Sequence, residues 1–319
     1  MSLPLAVHIG FPKTGTTTHQ KHLFAKHAQV RYLGKPYAND AFKGEILRLV
    51  MEESLSYDAA AREKYLEQLV QLVHQVQPDD HGRDPGKKLA LLSEELFVSA
   101  SKVRDKGVVA ERIKEVLAPV KILVTIRNQL EMLESAYING GRLLKNVPAR
   151  YKGLAIKFEE WLEMIFENPA RSYAGNIKYF DTINYYTRLW GKENICVLLF
   201  EEFLHNKEEY TRQLSGFLGI DAGESLRLLA DRHENPRVLQ SQVDLELTRS
   251  KFGPTGKRSF ISAALKQWYD LRNLFKKNQG ARVDLPAPWC ERLRDFYSEG
   301  NRELVKNFNL PLEKYGYPI

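Results

Sequence analysis

Lys13, two glycines and a run of threonines stand together in "HIGFPKTGTTTHQ", His8 to Gln20, and residues of these types at this spacing can hold an oxyanion. Gly10 and Gly15 are spaced as in the triphosphate loop G-x-x-x-x-G-K-[ST], but Thr16 occupies the place of that motif's phosphate lysine. The lysine, Lys13, lies inside the loop instead. Upstream, "LPLAVHIGF" is a short apolar run that reads as a buried strand, and downstream "TTTHQKHLFAKH" reads as a helix opening on hydroxyl residues. In a strand, turn and helix of this order, the free N–H groups of Thr14, Gly15, Thr16 and Thr17 face outward at the positive end of the helix dipole. The loop is expected to bind an oxyanion other than a nucleoside triphosphate.

A second group follows the apolar run "VKILVTI". In "RNQLEMLESAY", Arg127 stands at the strand end and Ser135 eight residues later, about two helical turns on. If the helix starts near Asn128, guanidinium and hydroxyl converge on one phosphate. Taken alone the pair says little. Joined to the first loop it suits a ligand with two separated phosphates.

These groups need a frame that brings strand ends together. Strand-like runs recur at "LAVHIGF", "VRYLG", "KKLALLS", "VKILVTI" and "NICVLLF", separated by helically spaced segments such as "REKYLEQLVQLVHQV" and "VVAERIKEVLAP". The pattern predicts an α/β fold, a P-loop NTPase-like parallel sheet flanked by helices on both faces, with a helical C-terminal third. Ligands of such sheets sit at the carboxyl ends of the strands, so the residue after each apolar run is the one to read for chemistry. One domain spanning 1–319 is expected, with an acceptor-side insertion at 139–176, a lid candidate in "NGGRLLKNVPARYKG", and a surface loop in "QPDDHGRDPGKK". The aromatic run Tyr179, Phe180, Tyr185, Tyr186 and Trp190 is spaced for one buried helix face, and "FEEWLEMIF" for an amphipathic helix.

Composition narrows the partners. A formal charge of +7 favours anionic ligands, but the basic residues, Lys276 and Lys277 included, are mixed with acidic ones and no nucleic-acid signature appears. Nucleic acid is therefore not expected as a partner. Cys196 and Cys290 are too few and too differently placed for a disulfide framework or a metal site. The opening lacks a basic n-region, and no apolar run approaches the roughly 18 residues of a membrane span. A soluble, cytoplasmic protein is expected.

Three stretches in order, "FPKTGTTTHQ", "IRNQLEMLESAY" and "VLLFEEFLHNKEEYTRQLSGFLGI", resemble the sulfotransferase family over roughly residues 5–220. Its members move a sulfuryl group from 3′-phosphoadenosine 5′-phosphosulfate (PAPS) to a hydroxyl or amine. The resemblance implies that Lys13, Thr14, Gly15, Thr16, Thr17 and Thr18 hold the 5′-phosphosulfate and that Arg127 and Ser135 hold the 3′-phosphate. It departs at Gln129, where many members have proline. The displaced lysine then has a purpose. Charge gathers on the bridging oxygen of the leaving 5′-phosphate, and Lys13, aided by Ser135, can meet it while main-chain amides and the Thr16 and Thr17 hydroxyls hold the other oxygens. No metal is expected, since there is no triphosphate to neutralise.

Transfer also needs a base for the acceptor hydroxyl. "KKLALLSEELF" puts Glu94 and Glu95 after a central strand, and related carbohydrate sulfotransferases carry a similar serine and glutamate there; the resemblance favours Glu95, with Glu94 left open. Successive strand residues face opposite ways, so one of the two is expected in the pocket. Histidine serves as base in other members; His19 and His22 read as helix residues, while His233 lies in an irregular segment that could reach the site. The late glycine-rich loop 251–260 brings Lys257 and Arg258 as candidates for the 3′-phosphate or adenine. The expected activity is sulfuryl transfer to a glycan or other hydroxylated metabolite. The rivals are a P-loop kinase or hydrolase and a non-catalytic nucleotide-binding protein on the same fold. Oligomeric state is not legible.

Overall fold

The structure is a computed structural model, and it describes residues 3–37, 40–76, 86–98, 105–143, 154–230, 238–251, 267 and 280–319. Five strands form one parallel sheet: β1 (Leu5–His8), β2 (Val30–Tyr32), β3 (Leu89–Ser93), β4 (Lys121–Ile126) and β5 (Ile195–Leu199), in the order β2-β3-β1-β4-β5. Each coincides with one of the apolar runs, because strands covered on both faces read as continuous hydrophobic stretches. Their side chains alternate between two cores. Val7, Leu92, Ile122, Val124 and Val197 enter one, packed against the helices Asp40–Met51, Ala59–Val76 and Tyr179–Trp190. Ala6, Leu91, Leu123 and Leu198 enter the other, with Leu23, Phe24, Tyr210 and Leu214. A fully buried leucine such as Leu123 is worth about 2–5 kcal/mol against alanine.

Strand order reverses around β1, which has β3 on one side and β4 on the other. The crevice at such a switch point is where ligands bind. Register brings the chemistry-bearing residues to that edge. His8 of β1 lies opposite Ser93 of β3, so the loop after β1 adjoins Glu94 and Glu95; Ile126 of β4 lies opposite Leu199 of β5, so Arg127 adjoins Phe200.

One local expectation needs refinement. The segment after the loop is a single short α turn, Thr16–Thr18, that widens into a π-helix over His19–Phe24 and carries His19, Gln20, Leu23 and Phe24 into the interior. The acidic stretch after β5 forms the short helix Phe200–His205, and the amphipathic helix Lys207–Leu218 follows it and ends at Gly219. The C-terminal third is mostly helical where described, in Ala222–Leu229, Gln240–Ser250 and Ala287–Phe308. No helix among the described residues is long and apolar enough to cross a membrane.

Candidate active site

The loop after β1 turns through two left-handed residues, Lys13 at φ 67° and Gly15 at φ 79°. Gly15 adopts this freely, but for a lysine it costs on the order of 1–3 kcal/mol, strain of the kind kept at functional positions. Gly10 is required by close approach: a Cβ there would fall on Thr16 Cγ2 and within 2.8 Å of Thr125 Oγ1. Gly15 is also the N-cap of the Thr16–Thr18 turn, and among the described residues no side chain caps that turn's N–H groups. The turn is thus left with main-chain donors for an anion.

Beneath the loop runs a buried chain of hydrogen bonds whose direction is fixed at one end. Thr14 Oγ1 donates to the Phe11 carbonyl at 2.6 Å, so it accepts from Thr125 Oγ1 at 2.8 Å. Thr125 in turn accepts from His8 Nε2 at 3.2 Å, which leaves His8 Nδ1 to accept from Ser93 Oγ at 2.8 Å; Ser93 accepts from Gln20 Nε2 at 3.0 Å. His8 is therefore neutral, with its proton on Nε2. Burial, and secondarily the neighbouring His19, hold its pKa well below the usual value. This chain ties β1, β3, β4 and the loop together. The Thr14 hydroxyl is engaged in the interior, which leaves the Thr14 N–H as the group that can serve a ligand.

Lys13, Gly15, Thr16, Thr17 and Thr18 line a cavity of about 670 Å³ together with Glu95, Arg127 and Ser135. The helix carrying Ser135 is Gln129–Ala136, and Asn128 is its N-cap, accepting from the Leu130 N–H at 2.9 Å. That is the start the Arg127 and Ser135 pairing requires. The Arg127 guanidinium donates to Glu131 Oε2 at 2.8 Å through Nη2, reaches the Lys13 carbonyl at 3.5 Å through Nη1, and lies 5.1 Å from the Phe200 ring centroid. Asn139 Nδ2 donates to the Ser135 carbonyl at 2.8 Å. Burial pushes the Lys13 ammonium below the usual lysine value; Glu95 pulls it back up and Arg127 lowers it further.

The two glutamates after β3 part company. Glu94 is fully buried and committed: it accepts from Lys35 Nζ at 2.7 Å, from the Tyr37 hydroxyl, and from the Leu96 N–H at 2.9 Å as N-cap of the 3-10 turn Glu95–Phe97. Glu95 lines the cavity and accepts from the Thr16 hydroxyl. His19 is buried and both its ring nitrogens are engaged, Nδ1 donating to the Gly15 carbonyl at 2.9 Å and Nε2 accepting from the Tyr210 hydroxyl at 3.0 Å. Burial lowers its pKa to about 4, against which the Gly15 bond acts. His22 is half-buried and not among the cavity residues. His233, Lys257, Arg258, Lys276 and Lys277 lie outside the described residues, as do 77–85 of the polar linker, 144–153 of the lid candidate and 252–260 of the glycine-rich loop.

Sequence reasoning missed the apolar side of the cavity: Ile138, Phe200, Phe203, Leu204 and Ala281. Phe200 had a signal, since it directly follows β5 as Arg127 follows β4. The others come from helices and a distant segment, and nothing in their spacing marks them. Of the five aromatics expected on one buried helix face, Tyr179 and Tyr186 are buried, while Phe180, Tyr185 and Trp190 are half-buried at the edge of the core; the Tyr179 hydroxyl donates to the Arg127 carbonyl at 2.7 Å.

Comparison with known proteins agrees with this frame. The family model "Sulfotransferase domain" matches residues 6–285, and the chain belongs to that family. It is a sulfotransferase, of a family that uses PAPS as sulfuryl donor. A sulfotransferase from Alicyclobacillus acidocaldarius has a similar fold, at 15% identity and a TM-score of 0.56, with 99% of each chain covered. The mouse sulfotransferase SULT7A1, solved in complex with PAP, aligns at 13% identity and a TM-score of 0.47 over 98% of this chain and 88% of its own. No curated protein sequence matches.

Proposed function

We propose that the chain transfers the sulfuryl group to a hydroxyl of a glycan or another hydroxylated metabolite, by in-line displacement within a single domain and with Glu95 as base. The observation that carries the reading is the meeting of Lys13, the Thr16–Thr18 turn, Glu95, Arg127 and Ser135 in one cavity, from the ends of three strands.

The acceptor O–H gives its proton to the Glu95 carboxylate as its oxygen bonds to sulfur. The bond from sulfur to the bridging 5′-phosphate oxygen breaks, and its electron pair stays on that oxygen. Lys13 and the main-chain amides of the loop offset the charge that gathers there, fixed donors in a partly dry site being worth more than water. The Thr16 hydroxyl, bonded to Glu95, aims the base and keeps it beside the loop. Arg127 and Ser135 take the 3′-phosphate, with Lys257 and Arg258 as further candidates. Glu94 is a positioning residue that shapes the turn carrying Glu95. No metal is needed in this scheme, because the lysine and amides answer the charge of one leaving phosphate. The free thiols of Cys196 and Cys290 fit a reducing, cytoplasmic setting.

The test is transfer from PAPS to a panel of glycans and small hydroxyl and amine acceptors, followed as released adenosine 3′,5′-bisphosphate (PAP) and as product mass. Turnover that Glu95→Gln abolishes supports the reading. PAP binding with no transfer across a broad panel points to a non-catalytic protein, and tighter binding of magnesium ATP than of PAP points to a kinase.

A further inference from the structure

The turn Arg127–Gln129 is held by the far end of the chain. The Asn128 N–H donates to Glu201 Oε1 at 2.8 Å, and Glu201 Oε2 accepts from the Tyr317 hydroxyl at 2.9 Å. Asn128 Nδ2 donates to the Tyr315 carbonyl at 2.9 Å. Gln129 and Asn301 exchange amide bonds at 2.7 and 3.2 Å, and Asn301 Nδ2 also donates to the Pro318 carbonyl at 2.7 Å. Asn128, Gln129, Glu201, Asn301 and Tyr317 are all 5% exposed or less. These bonds therefore form away from competing water. Both residues that follow Arg127 are thus anchored, directly or through one side chain, on residues 315–318.

The guanidinium has no comparable anchor: it pairs with the half-exposed Glu131, reaches the Lys13 carbonyl only at 3.5 Å and lies 5.1 Å from the Phe200 ring centroid. The strap fixes where the arginine starts and leaves its tip free to exchange Glu131 for a ligand. Gln129, which replaces the proline of many family members, is a member of the strap. A proline could make neither of its amide bonds.

We propose that the C-terminal segment Tyr315–Pro318, acting through Glu201 and Asn301, positions Arg127 and thereby sets the preference for nucleotides carrying a 3′-phosphate. The proposal rests on the assignment of Arg127 to that phosphate. Glu201 and Tyr317 are positioning residues, since neither lines the cavity.

The test is the dissociation constant of PAP and of AMP, which lacks the 3′-phosphate, measured by calorimetry for the full chain, Tyr317→Phe, Glu201→Gln and Arg127→Ala. Thermal unfolding of each variant certifies that it is folded. Glu201→Gln keeps the size and one acceptor of the original, so it covers the case in which Tyr317→Phe does not fold. The strap predicts that both variants weaken PAP by about 5- to 30-fold, in the range of coupling between separate sites, with AMP shifted less than about twofold. Equal weakening of both nucleotides, or none, overturns it. If Arg127→Ala removes the preference and the strap variants do not, the strap alone is wrong; if Arg127→Ala also leaves the preference intact, the arginine's assignment is wrong.

Discussion

Glu131→Gln should make the enzyme bind PAP more tightly. Glu131 Oε2 accepts from Arg127 Nη2 at 2.8 Å and from Nε at 3.3 Å, so an incoming 3′-phosphate must share or displace this carboxylate. Glu131 is 49% exposed and Arg127 12%, which puts the pair near the surface class of ion pairs, worth about 0.2–1 kcal/mol. Releasing that competition corresponds to about 1.4- to 5-fold tighter binding, since about 1.36 kcal/mol is tenfold. Removal of the negative charge beside the phosphate acts in the same direction. Both contributions are screened, so the gain should shrink between low salt and about 0.5 M, where the Debye length is well under 10 Å. Glutamine retains the polar character of the helix's first turn; any loss of dipole stabilisation lowers the melting temperature without entering a dissociation constant measured on folded protein. Calorimetric titration with PAP and with AMP at two ionic strengths is the assay. Unchanged or weaker PAP binding at low salt, in a folded variant, refutes the competition and with it the role given to Arg127.

Other outcomes follow from the same geometry. Lys13→Met should lower kcat by about 10²- to 10³-fold in PAP-release assays, the cost of removing one fixed donor to a developing oxyanion. Because burial depresses the Lys13 pKa, the ammonium is charged at low pH and lost as pH rises; the alkaline limb of the wild-type rate profile should fall below the ordinary lysine range. Glu95→Gln should abolish turnover with little change in melting temperature, whereas Glu94→Gln should destabilise by about 1–3 kcal/mol in denaturant titration, because its buried bonds to Lys35, Tyr37 and Leu96 are lost or weakened. His19 is buried neutral, with its pKa lowered from 6.5 to about 4. Its contribution is present above 6.5 and lost as pH falls toward 4, so stability should decline across that window and decline less steeply in His19→Phe when melting is followed against pH.

The frame was legible because its cause is local. Strands buried on both faces must be apolar throughout, and all five appear as such runs; Gly10, Lys13 and Gly15 announce a tight turn, and Arg127 follows a strand directly. The choice between Glu94 and Glu95 was not legible. Strand alternation stops at Ser93 and a 3-10 turn begins at Glu95, so no period carries the facing of one residue to the next. The π turns over His19–Phe24 leave no trace in a pattern that reads equally well as α. The bond of Thr14 to Thr125, the bonded chain through His8, and the hold of Tyr317 on Glu201 depend on partners 73 to 117 positions apart, and spacing within a segment says nothing about them.

A structure of the protein with PAP bound tests the central assignment most directly. The account predicts the 5′-phosphate on the amides of the loop with Lys13 Nζ at hydrogen-bond distance, the 3′-phosphate between the Arg127 guanidinium and Ser135 Oγ, and the Glu95 carboxylate facing the side from which the acceptor enters. A nucleotide bound with its 5′-phosphate away from Lys13, or with Arg127 still paired to Glu131 and out of reach of the 3′-phosphate, would contradict it.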